Sequence, residues 1–200
     1  MKILIVGASG TLGHAVAEHL GARHDIIRAG RHSGDVRVDL ACDESVQAMF
    51  ATCGALDAVI ATTGQVHFGP LAAMDAQAFS VGLQDKLLGQ VRLALAAQPH
   101  LRSGGSITLT TGIISAEPIR DGANATAVNA ALEGFVRAAA FELLPRGLRI
   151  NAVSPSVLEE SMDSYGPYFP GFEPVPARRV ALAYQRAVEG IQSGKVLTVW

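Results

Sequence analysis

The sequence predicts an α/β fold of three layers, α/β/α, built on a doubly wound, seven-stranded, mainly parallel sheet. Three observations predict it. The chain opens with an apolar run, Lys2 to Val6, that leads straight into Gly7, Gly10 and Gly13. Apolar stretches of strand length then alternate with helical patterns through all 200 residues. A hydrophobic content of 49% in a chain of this length suits one well-buried domain and is too little for two.

The first strand is expected at 2–7. The tight turn after it sets a helix N-terminus at Gly10 to Leu12, where free backbone N–H groups and the helix dipole favour a pyrophosphate. Glycine lets backbone and anion approach closely, so Gly7, Ser9, Gly10, Thr11, Leu12 and Gly13 form the expected cradle of a Rossmann-type dinucleotide site. A helix follows over 11–22 on the pattern Leu12, Val16, Leu20. Strands are expected near 25–30 and 36–39, and the few residues from Arg31 to Val36 leave room for a loop but no crossover helix. Thereafter the pattern reads helix 43–53, strand 57–63, helix 75–98, strand 105–111 after the Gly104-Gly105 turn, helix 122–145, strand 148–154, helix 177–190 and strand 195–199. Ser154 to Pro176 holds five prolines and reads as a long surface excursion. Residues 155–176 are therefore expected to serve as a substrate or lid loop on a single domain, 1–200.

Charge and cysteine content narrow the function. A formal net charge of −2 without basic runs gives no footprint for nucleic acid or for an anionic membrane surface. Cys42 and Cys53 lack CxxC spacing and a histidine cluster, which points to free thiols in a reducing compartment and to no metal site. The leading apolar run is too short for a signal segment, and no later run has the length of a membrane span. The expectation is a cytoplasmic protein with no membrane partner.

With these elements placed, the sequence resembles the short-chain dehydrogenase/reductase family over nearly its whole length. Gly7-Ala8-Ser9-Gly10-Thr11-Leu12-Gly13 looks like the family's glycine motif, with Thr11 where the commonest version has another glycine. Val38-Asp39-Leu40 looks like its adenine-contacting acidic position. Asp57 to Gly64 lines up with the segment that usually ends NNAG and here reads ATTG, and Arg149 to Ser156 matches RxNxVxPG with Ser156 in place of the glycine. The resemblance implies a nicotinamide cofactor held by Asp39, Leu40, Ala61, Thr62, Gly64 and Pro155 as well as by the glycine turn. Members specific for NAD carry an acid at the end of the second strand that binds the ribose 2′-hydroxyl. This chain has Ala29-Gly30-Arg31-His32-Ser33 there, and a guanidinium with a neighbouring hydroxyl suits a 2′-phosphate. NADP(H) is the expected cofactor, gripped by Arg31, His32 and Ser33, and NAD is disfavoured.

The family's catalytic pattern is not kept. Its segment YxxxKAAxEGF corresponds to Ala125 through Phe135, so tyrosine has become Ala125 and lysine Asn129. The serine thirteen residues earlier falls at Gly112, and the asparagine before LxG falls at Lys86. Lysine and asparagine have thus traded places, which leaves Lys86, Thr111 and Asn129 as the candidate catalytic residues. Lys86 reads either as a desolvated cation of the site or as a side chain that snorkels to solvent. Tyr165 and Tyr168 in the excursion, and His67 beyond the ATTG turn, are further candidates for a proton donor. Two functional classes fit. One is an NADP(H)-dependent oxidoreductase acting on a small carbonyl, alcohol or activated double bond through a non-standard site. The other is an NADP(H)-binding sensor or regulatory protein without turnover. The family resemblance also implies a homo-oligomer, dimer or tetramer, assembled through its long fourth and fifth helices, and the pattern from Ala123 to Leu144, with Phe135 and Phe141, supplies a broad apolar face.

Overall fold

The structure, a computed structural model, describes residues 1–200. Its strands are Lys2–Val6 (β1), Asp25–Gly30 (β2), Val36–Arg37 (β3), Leu56–Ala61 (β4), Leu101–Thr110 (β5), Arg149–Pro155 (β6) and Val196–Val199 (β7). They make one sheet in the order β3-β2-β1-β4-β5-β6-β7 with every pair parallel. The helices are Thr11–Gly21 (α1), Asp43–Cys53 (α2), Ala76–Gly82 (α3), Gly89–Ala97 (α4), Ala123–Leu143 (α5), Met162–Tyr165 (α6) and Ala177–Glu189 (α7).

The apolar start of the chain shows why three layers form. Successive side chains of a strand point to opposite faces, and parallel strands are covered on both. Leu4 and Val6 enter a core shared with α2, α4 and α5, while Ile3 and Ile5 enter a second core shared with α1 and α7. All four are buried, and each such side chain contributes about 1.5–3 kcal/mol. A third, small cluster of Ile113, Ile114, Ala125, Val157 and Phe169 lies apart from both.

Three elements differ from the sequence pattern. The helix expected at 75–98 is divided into α3, a π-helical stretch Leu83–Leu88 and α4. Glycines flank that stretch, and a Cβ at Gly82 would stand 2.4 Å from Asn124 Oδ1, so the chain adjusts its winding where it crosses α5 closely. The strand expected at 105–111 begins at Leu101, and its register against β4 shifts from Leu56↔Leu101 to Ala58↔Ser106. Gly104, at φ +80°, lies in that irregularity. β3 has two residues where 36–39 was expected, because Asp39 N–H turns away to donate to Ser45 Oγ (2.9 Å).

The excursion 155–176 is folded. Leu158 bridges Val175, Val175 N–H donates to Val157 O (2.9 Å), and Ser156 Oγ donates to Glu173 O (2.7 Å). It carries α6 and joins α7 through Glu160, whose carboxylate accepts from Ala177 N–H at 3.0 and 3.1 Å. No helix is long and apolar enough to cross a membrane. The strand order reverses between β1 and β4, and a sheet of this topology opens its crevice at the carboxyl ends of those two strands.

Candidate active site

At the end of β1, Gly7 adopts φ +89° and its N–H donates to Ala29 O (2.9 Å), which turns the chain sharply into α1. No side chain caps α1, and His14 N–H, reaching Gly10 O (2.8 Å), closes its first turn. The N–H groups of Thr11, Leu12 and Gly13 thus lack intrahelical acceptors and carry the positive end of the helix dipole. The glycines divide by role. A Cβ at Gly13 would stand 2.1 Å from Gly7 O and 2.6 Å from Thr62 Oγ1, whereas at Gly10 the nearest protein atom is 3.5 Å away. Gly13 is required by the packing of the turn, and Gly10 faces the open cleft.

A cavity of about 530 Å³ runs from Gly7, Ser9 and Gly10 to Arg31, His32 and Ser33, with Leu40 on its wall. The Arg31 guanidinium stands 3.3 Å from Asp39 and 3.9 Å from Asp85, so it spans the cavity's outer end. The Asp39 carboxylate accepts from Ala41 N–H (3.0 Å), and that bond together with the Arg31 charge holds its pKa below the usual value. Six sequence-derived cofactor candidates do not line this cavity: Thr11, Leu12, Gly13, Asp39, Ala61 and Pro155. Ala61 O instead accepts from Thr110 Oγ1. Thr11 opens with His14 onto a separate cavity between the N-termini of α1 and α7.

Thr62 and Gly64 also line a second cavity, of about 300 Å³, which gathers Lys86, Thr111, Gly112, Asn129 and Pro155. Three candidates far apart in sequence therefore meet. Lys86 lies on the π-helical stretch, a local winding that frequently marks functional sites. Gly64, at φ +131°, admits it: a Cβ there would stand 2.5 Å from Lys86 Cγ. Lys86 Nζ donates to Thr111 O (3.3 Å) and has no carboxylate partner, and burial pulls its pKa down to about 8. Asn129 is buried with its Oδ1 unpartnered.

The positions of the family's serine and tyrosine differ physically. Gly112 borders the cavity, and a Cβ there would meet Asn129 Nδ2 at 3.6 Å, an ordinary contact. Ala125 is fully buried among Ile113, Ile114, Val157 and Phe169. The volume beside Ala125 is occupied, and a tyrosine would overpack it. Tyr165 lines the cavity, whereas Tyr168 stacks on Phe68 at a centroid distance of 4.8 Å and does not. His67 is held by its backbone, with N–H donating to Asn124 Oδ1 (2.8 Å), and its side chain is not part of the wall.

One supporting residue escapes the sequence reading. Gln90, one helical turn past Lys86, is fully buried. Its Nε2 donates to Thr63 O (3.2 Å) and Thr110 O (3.0 Å), and its Oε1 accepts from Thr110 N–H (2.8 Å). This amide ties together the strand ends that form the cleft floor. The only signal for it was a polar residue on an otherwise apolar helix face. Tyr184 is a second hidden polar group, its OH 2.5 Å from Thr110 Oγ1 and its phenol pKa pushed well up by burial.

A family model described as enoyl-(acyl carrier protein) reductase matches residues 2–192. Hydroxynaphthalene reductase arp2 of Aspergillus fumigatus is 25% identical over 154 residues, which is 75% of this chain and 56% of that relative. The chain thus spans little more than half the length of that relative. The crystal structure of protein lin1944 from Listeria innocua superposes with a TM-score of 0.97 at 47% identity, covering 100% of both chains. The crystal structure of a small-chain dehydrogenase in complex with NADPH superposes with a TM-score of 0.88 at 26% identity, covering 100% of this chain and 96% of the other.

Proposed function

The chain belongs to the short-chain dehydrogenase/reductase family, and on that premise we propose that it is an NADP(H)-dependent oxidoreductase of a small carbonyl compound, alcohol or activated double bond, working through a non-standard site. The observation that carries this reading is the pair of cavities joined at Thr62 and Gly64, one floored by the glycine turn and the other holding Lys86.

The residues present fit the cofactor. The uncapped α1 N-terminus, with Ser9 and Gly10 beside it, suits a pyrophosphate. Leu40 lines the cavity at the expected adenine end, Asp39 pairs with Arg31 from outside that lining, and Arg31, His32 and Ser33 offer cationic and hydroxyl partners to a 2′-phosphate. Asn129 Oδ1 is a buried acceptor lacking a donor, a vacancy that a ribose hydroxyl would satisfy. The bound nicotinamide supplies the hydride. Lys86 then serves as the cation facing the reacting oxygen and as its proton source, and Thr111, through its carbonyl, fixes the ammonium. The NADPH complex of a relative of this shape supports the choice of cofactor.

Self-association belongs to the same reading. Leu95 on α4 and Phe141 on α5 are 56% and 80% exposed, on the two helices through which the family resemblance implies assembly.

The cofactor assignment is tested by fluorescence titration with NADPH and NADH. The wild type is expected to prefer NADPH, and Arg31→Ala to lose roughly tenfold or more of that preference, as removal of a charge-assisted phosphate contact does. Equal affinity for both cofactors in the wild type contradicts the assignment.

A further inference from the structure

The cavity around Lys86 has an unusual chemical balance. Its distal wall is apolar and aromatic, formed by Val66, Phe68, Ile113, Val157, Tyr165 and Phe169. Lys86 is the one charged side chain that lines it, and Asp85 next to it is engaged elsewhere, by Gln65 N–H (2.6 Å) and Arg31. A desolvated ammonium without a counter-charge is costly. It is compensated when an anion arrives.

The surrounding hydroxyls restrict that anion. Thr62 Oγ1 donates to Val6 O (3.1 Å), Thr111 Oγ1 to Val153 O (3.4 Å) and Ser156 Oγ to Glu173 O (2.7 Å). Asn129 faces the cofactor side in the proposed function. A carboxylate or phosphate would bring two or more charged oxygens, and Lys86 is the only cation that awaits them; the hydroxyls of Ser161 and Tyr165, which also line the cavity, are neutral partners. A single oxygen conjugated to a flat apolar body matches both the donor and the walls.

We propose that this cavity is a receptor for delocalised, one-oxygen oxyanions seated on Lys86, and that the substrate is accordingly a flat, uncharged conjugated carbonyl of the quinone or cyclic enone class. The proposal rests on the reading of the protein as a nicotinamide-dependent reductase. In the reduction, hydride from the reduced nicotinamide, the reductant, adds to the conjugated system and the carbonyl π electrons move onto oxygen. The resulting phenolate or enolate takes a proton from Lys86: an N–H bond breaks, an O–H bond forms, and solvent reprotonates the amine. Such an oxyanion is a far weaker base than an isolated alkoxide. An amine acid whose pKa burial lowers to about 8 is sufficient for it, so the site functions without the family's tyrosine.

The test is a spectroscopic titration of the cofactor-free protein with 4-nitrophenol, whose phenolate absorbs in the visible. The apparent pKa of the bound phenol is expected to fall by at least about one unit in the wild type. Lys86→Arg is expected to retain the shift and Lys86→Met, folded by circular dichroism, to lose it. Benzoate is expected to compete poorly. Binding of the neutral phenol only, an undiminished shift in Lys86→Met, or stronger binding of benzoate overturns the proposal. NADPH binding is measured in parallel. Phenolate capture without NADPH binding removes the proposed function and leaves the receptor site standing, whereas NADPH binding without phenolate capture removes this inference alone.

Discussion

At the scale of the residue, Lys86 is the most informative side chain, because its environment gives it a cost in stability as well as the proposed chemical role. Its folded pKa, about 8, lies below the ordinary value of 10.5. Between those two pH values the unfolded chain holds the proton more tightly than the folded one, so this group makes stability rise as pH increases from about 8 to about 10.5. At neutral pH the charged form carries the full penalty. Lys86→Met is therefore expected to stabilise the cofactor-free protein near pH 7, by on the order of 2 kcal/mol, and to abolish Lys86's share of the alkaline gain. Urea unfolding of both proteins at about pH 7 and about pH 9.5 measures this, and a variant less stable at both pH values contradicts it. The exchange of lysine for asparagine was legible in the sequence because motif spacing fixes which residues enter the site. The burial of Ala125 was not, since spacing says nothing of how Ile113, Ile114 and Phe169 fill the tyrosine's place.

At the scale of the element, the turn between β1 and α1 separates packing from binding. Gly13→Ala places a methyl group against the Gly7 carbonyl and is expected to destabilise the fold by about 1–3 kcal/mol. Gly10→Ala meets only ordinary contacts within the protein. It is expected to leave the melting temperature nearly unchanged while weakening NADPH binding several-fold, because its methyl group would intrude on the pyrophosphate position of the proposed function. Thermal melts paired with cofactor titrations check both variants, and equal loss of stability in the two contradicts the division of roles. Alternation of strand and helix was plain from hydrophobic period, and the positions of β1, β2, α1, α2 and α7 were read from it closely. The π-helical stretch and the early start of β5 were hidden. Both depend on which neighbour an element meets, Asn124 opposite Gly82 in one case and the shifted pairing with β4 in the other. Gln90 was hidden for the same reason, because its partners are backbone groups supplied by two strands.

At the scale of the whole molecule, seven parallel strands set the cleft at the reversal of strand order, and residues spread from 7 to 155 converge there. Phe141 on α5 and Leu95 on α4 are exposed apolar side chains on the two helices of the proposed assembly face. The wild type is expected to run as a dimer or tetramer in light scattering, and Phe141→Glu to shift it toward monomer with NADPH binding retained; a monomeric wild type contradicts this. The central claim, that a lysine on a π-helical stretch replaces the family's tyrosine in an NADP(H)-dependent reductase, is tested most directly by one kinetic measurement. NADPH oxidation by a quinone is followed by absorbance in a single turnover, with wild type and Lys86→Met, between about pH 6 and pH 10. The account predicts a wild-type rate that falls as pH rises through about 8, where Lys86 gives up its proton, and a rate in Lys86→Met at least about a hundredfold slower and flat with pH. A wild type that does not oxidise NADPH, or a variant as fast as the wild type, contradicts it.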